Sequence, residues 1–135
     1  MKTGSLLLLS LTLLILQSCD PMRRIRMTNK SGSEASITWV IKEDSIHQSP
    51  FFISSTKKQK FVLPADARPI RLSAGMGTWT KRELRNVVND LDSVLIEWNN
   101  GSIRLGSEED IMSFLMTRRR GLGKDKIDIV IKNHE

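Results

Sequence analysis

The chain has 135 residues, enough for one domain with its own core and too few for two. Its single cysteine excludes an internal disulfide, so core packing must hold the fold. The net charge is +6 with 27% charged residues, yet aromatic residues make up 5%, tyrosine is absent and no recognisable nucleic-acid module accompanies the positive balance.

At the N-terminus, Lys2 supplies a short positive region and residues 6–16 form an apolar run interrupted only by Ser10 and Thr12. The run is too short to cross a bilayer, which takes about 20 apolar residues. It ends in Leu16-Gln17-Ser18-Cys19. This segment resembles the lipobox of bacterial lipoproteins, with an aliphatic residue at −3, a small residue at −1 and the cysteine itself. The resemblance implies that residues 1–18 are an export signal cleaved between Ser18 and Cys19. It further implies that the Cys19 thiol accepts a diacylglycerol and that its freed amine is acylated, giving a lipid-anchored protein of the cell envelope. Asp20 resembles the inner-membrane retention signal of some Gram-negative lipoproteins, a rule that is not general, so the choice between inner and outer membrane stays open. Cleavage would remove one lysine and no acid, lowering the charge of +6 by one unit. For an exported chain of this composition no nucleic-acid partner is expected, and the sequons at Asn29 and Asn100 are normally unread in bacteria.

Residues 19–135 read as one domain behind a short tether, about 19–22. Arg23, Arg24 and Arg26 follow the proposed lipid and are candidate contacts to anionic head groups, each basic residue contributing about 1 kcal/mol near such a surface. The alternative is that they decorate the first strand, residues 23–28. The turn signal Asn29-Lys30-Ser31-Gly32 leads into residues 36–43, which place Ile37, Trp39 and Ile41 on one face and Thr38 and Lys42 on the other. These two strands are expected to pair as a hairpin. Residues 45–55, with Phe51 and Phe52, suit a strand or a core-capping loop equally. Strands at 60–63 and 70–74 are separated by Pro64 and Pro69, which mark a turn.

The glycines of Gly75-Met76-Gly77-Thr78-Trp79 suit a tight turn that lets Trp79 staple a helix entry. Thr80-Lys81-Arg82-Glu83 has the spacing of a capping box, with Leu84, Val87, Val88 and Leu91 following as one apolar stripe. Residues 93–105 form a hairpin if Asn100-Gly101 occupies a type I′ turn; Trp98 then faces Ile103, Glu97 faces Arg104 and Ile96 faces Leu105. Ser107 caps a second helix, with Glu108, Glu109 and Asp110 opposing its dipole, Ile111, Phe114 and Leu115 on its buried side and Gly121 as its stop. Arg118, Arg119 and Arg120 either compensate the far end of that dipole or meet an anionic partner, such as lipid head groups or an acidic protein surface. The last strand, 126–132, carries Ile127, Ile129 and Ile131 on one face. The fold class is therefore α+β and β-rich: an antiparallel sheet or β-sandwich-like domain with two short helices. The alternative is a split βαβ, ferredoxin-like second half.

His47 and His134 stand far apart with no motif spacing to carboxylates, so no catalytic set, metal site or cofactor is assigned. Trp39 and Trp98 share faces with isoleucines and read as core, while an exposed Trp79 would point to a stacking ligand. The expected function is that of a non-enzymatic, membrane-tethered accessory domain that binds or scaffolds another envelope component. A small-ligand carrier, or an enzyme with an unrecognised site, are the alternatives. A deep pocket with convergent histidines or carboxylates would favour the enzyme, an exposed Trp79 cleft the carrier, and a flat basic surface protein or lipid contact.

Overall fold

The computed structural model describes residues 21–45 and 56–133. Ser18, Cys19, His47, Phe51, Phe52 and His134 lie outside them. The described chain runs β1 (Met22–Lys30), β2 (Ala35–Ile41), a 3-10 turn (Glu43–Ser45), β3 (Lys58–Leu63), β4 (Ile70–Met76) and α1 (Lys81–Asn89). It continues through β5 (Leu91–Trp98), β6 (Gly101–Leu105), α2 (Glu108–Thr117), β7 (Arg119–Arg120) and β8 (Lys126–Lys132). The strands make two four-stranded sheets, ordered β4-β1-β8-β7 and β3-β2-β5-β6. β1 and β8 run parallel, and the remaining pairs are antiparallel.

Two-residue alternation decides which side chains face the interior. In β1 it buries Ile25 and Met27, in β8 Ile127, Ile129 and Ile131, and in β2 Ile37, Trp39 and Ile41. Leu84, Val87 and Val88 of α1 and Ile111 and Leu115 of α2 complete a single core shared by both sheets. Full burial of each such side chain contributes about 1.5–3 kcal/mol relative to exposure. Both helices start as their caps dictate: Thr80 Oγ1 accepts the Glu83 N–H at 3.2 Å and Ser107 Oγ accepts the Asp110 N–H at 3.1 Å. Leu91, read from the sequence as the last apolar position of the first helix, instead opens β5.

Two pairings differ from the sequence reading, and its alternative topology falls. β1 and β2 do not form a hairpin, because β1 is flanked on both sides by β4 and β8 and offers no free edge. The turn between them passes the chain from one sheet to the other, held by Asn29 Nδ2 donating to the carbonyls of Ser33 at 2.6 Å and Leu63 at 2.7 Å. The split βαβ alternative fails because α1 joins β4 to β5, which belong to different sheets. In the β5–β6 hairpin, Trp98 faces Gly101, Glu97 faces Ser102, Ile96 faces Ile103 and Leu95 faces Arg104, a register two residues from the expected one. Asn99 and Asn100 make the turn, and neither has a positive φ. Gly101 serves a different need: a Cβ there would lie 2.7 Å from Trp98 Cζ2.

Candidate anion-binding face

The side chains that alternation turns away from the core in β1 include Arg24 and Arg26. Register then sets the neighbours. Arg26 stands opposite Arg71 of β4, while across the parallel ladder Arg24 stands opposite Lys126 and Arg26 opposite Asp128. Arg24, Arg26, Arg71 and Lys126 line a hollow of about 140 Å³. Three strands of one hydrogen-bonded sheet hold these four cations, so their backbone spacing is fixed before any ligand arrives. The basic strip continues at Lys30 and Lys132, paired in the same ladder and both exposed.

Among the described residues, one acid pairs with this cluster. Arg26 grips Asp128 fork to fork, Nε to Oδ1 at 2.9 Å and Nη2 to Oδ2 at 2.8 Å. Among the described residues, the side chains of Arg24, Arg71 and Lys126 make no ion pair. The hollow is therefore strongly cationic, and any anion entering it meets donors on several sides.

Arg23, grouped by sequence with Arg24 and Arg26, points the opposite way. It shares the phase of Ile25 and Met27, and its register with β4 is disturbed between Met22 and Arg24. Its guanidinium forms an ion pair with Glu83 and lies 5.5 Å from the centroid of the Trp79 ring. Gly75, at φ 75°, lets it pass, since a Cβ there would sit 3.3 Å from Arg23 Nη2. Trp79 itself is 1% exposed and its indole N–H donates to the Arg24 carbonyl at 3.1 Å. An exposed Trp79 cleft is thus absent; the ring fastens α1 to β1.

Arg118, Arg119 and Arg120 act at the end of α2. Arg118 Nη1 donates to the Phe114 carbonyl at 3.1 Å, Arg119 Nε to that of Met116 at 3.3 Å and Arg120 Nη1 to that of Thr117 at 3.2 Å. These are the carbonyls that a helix C-terminus leaves without intrahelical donors. Arg118 also lies 3.5 Å from the Phe114 ring centroid. Burial, and after it the charge of Arg120, lowers its pKa from the ordinary arginine value, and the guanidinium remains cationic. Arg119 Nη1 reaches the Trp79 carbonyl at 3.0 Å, tying the two helix ends together. Only Arg120 borders the basic face, opposite Lys126.

A second concavity, an open groove of about 420 Å³ between α1 and α2, is lined by Val88, Met112 and Met116 with Lys81 and Arg85 from α1 and Glu108 and Glu109 from α2. Trp98, read as core, is half-buried and lines a smaller cleft of about 130 Å³ with Ile103, Phe114 and Arg118. Among the described residues no group of three or more His, Cys, Asp and Glu side chains is placed to hold a metal ion. Nor is any described helix long and apolar enough to cross a membrane. No family model, curated protein or solved structure matches the chain.

The sequence reading missed Arg71 and Lys126. Their phase was available, since Arg71 alternates with Ile70 and Leu72 and Lys126 precedes Ile127, but the pairing that brings them beside Arg24 was not.

Proposed function

We propose that the chain is a bacterial envelope lipoprotein, held in a membrane by lipids on Cys19, whose folded part is a non-enzymatic binding domain. The observation that carries this reading is the lipobox-like Leu16-Gln17-Ser18-Cys19 at the end of a short apolar run, three residues before β1 begins. Several acyl chains on one residue give stable attachment, at about 0.8 kcal/mol per buried CH₂, where a single chain is marginal. The basic outward face of β4, β1 and β8 supports a binding role, because the strand nearest the anchor also carries the cationic hollow. Metabolic labelling with an alkyne fatty acid tests it. Wild type should take up the label and fractionate with membranes, while Cys19→Ala should do neither; identical labelling and fractionation would overturn the anchor.

A second reading, a small-ligand carrier, draws support from the groove between α1 and α2. Its volume of about 420 Å³ falls within the roughly 300–1,000 Å³ of small-molecule sites. An apolar dye that gains fluorescence with wild type and loses it with Met112→Lys would favour the carrier. Equal signals would remove it.

A further inference from the structure

We propose that Arg24, Arg26, Arg71 and Lys126 form a site for the phosphate group of anionic phospholipids, which lays the outward face of the β4-β1-β8 layer on the membrane. This deepens the lipoprotein reading and rests on it for the choice of occupant. The hollow has the chemistry for phosphate: guanidinium forks and an ammonium converge on it, and the carboxylate that reaches it, Asp128, is already occupied by Arg26. Pairing with Asp128 takes Arg26 Nε and Nη2 and leaves Nη1 with no acceptor among the described residues.

The length of the tether selects the source of the phosphate. Arg24 follows Cys19 by five residues, and an extended chain covers at most about 3.6 Å per residue. The backbone of Arg24, at the near edge of the hollow, is thus confined to within about 18 Å of the anchored cysteine. At that distance head groups are far more concentrated than any dissolved phosphate. Lys30 and Lys132, farther along the same strands, extend the cationic strip across the face. A protein partner with an acidic surface would meet the same charges, and the test separates it from lipid.

The acylated mature protein, beginning at Cys19 and carrying Ser73→Cys labelled with a fluorophore, is reconstituted through its own anchor into vesicles containing a headgroup-attached quencher. Ser73 is exposed and faces Arg24 in the β1–β4 register, so the probe reports contact between this face and the membrane. Quenching should be strong when phosphatidylglycerol is present and weak on phosphatidylcholine alone. It should fall to the phosphatidylcholine level with Arg24→Gln, Arg71→Gln and Lys126→Gln combined. The control set Lys58→Gln, Lys60→Gln and Arg104→Gln removes the same charge from exposed positions of the other sheet and should leave quenching unchanged. Inorganic phosphate should relieve quenching more than chloride at equal ionic strength.

Equal quenching on both lipids, equal loss in the two variant sets, or equal relief by phosphate and chloride would overturn the site. Matching thermal unfolding of the two sets excludes misfolding as the cause. Mass spectrometry of Cys19 in the same preparation separates a failed anchor from a failed site: an unmodified Cys19 refutes the lipoprotein reading, and lipid-dependent quenching by acylated protein stands or falls by itself.

Discussion

Arg26 and Asp128 face each other across the parallel β1–β8 ladder and close a bidentate ion pair, although 102 positions separate them in sequence. Their side chains are 43% and 16% exposed, so solvent screens the pair and its contribution to stability is about 1 kcal/mol. Asp128 is also the acid that restrains the positive charge of the outward face. Asp128→Asn should therefore lower thermal stability by a few degrees while strengthening contact with anionic vesicles. A variant that loses or gains in both measurements together would contradict the two roles assigned to this carboxylate.

Arg23 and Arg24 are neighbours in sequence with opposite duties. Arg23→Ala strips Glu83 of its partner and Trp79 of a covering cation in a half-buried setting, and should cost about 2 kcal/mol in chemical denaturation. Arg24→Ala should stay within about 0.5 kcal/mol of wild type and weaken only vesicle contact. Equal losses of stability would contradict this division of duties between the two faces of β1.

Gly101→Ala should destabilise by about 1–3 kcal/mol through collision with the Trp98 ring. Replacing Trp98 with leucine in the same chain should recover much of that loss. If the cost came from backbone conformation, as a type I′ turn at Asn100-Gly101 would require, the Trp98→Leu background would leave it unchanged. The double-mutant cycle by thermal unfolding decides between the two.

The two N-caps offer a paired measurement. Thr80→Ala and Ser107→Ala should each cost about 1 kcal/mol, and Ser107→Asp should also destabilise, because aspartate accepts the same N–H but loses the hydroxyl's donation to Asp110 Oδ2 at 2.7 Å and sets a second carboxylate against it. Additivity in the Thr80→Ala, Ser107→Ala double variant would indicate that the helix starts act independently; a shortfall would place their coupling in the contact between α1 and α2.

Local chemistry made some elements readable in the sequence and non-local pairing hid others. The caps at Thr80 and Ser107 and the isoleucine row of β8 depend on residues a few positions apart, and the structure has them where the pattern puts them. Alternation also gave the faces correctly in the β5–β6 hairpin: a slip of two residues changes every partner yet leaves each side chain on its side. Strand neighbours are another matter. Nothing near residues 23–28 signals that their partners lie in β4 and β8, since apolar alternation specifies a buried side and not the strand beside it. The candidate site divides in the same way. Arg24 and Arg26 are separable from Arg23 by phase alone, whereas Arg71 and Lys126 join them only through tertiary pairing. Cys19 owes its reading to a local motif and lies outside the described residues.

The parallel β1–β8 pair makes the first strand wait for the last. Until Lys126–Lys132 is available, β1 lacks one of its two sheet neighbours and Ile25 and Met27 lack their ladder partners Ile127 and Ile129. Contacts this distant in sequence form slowly. For a chain threaded through a membrane from its N-terminus, as proposed for this one, the β4-β1-β8-β7 sheet could close on the far side only after its last strand had crossed.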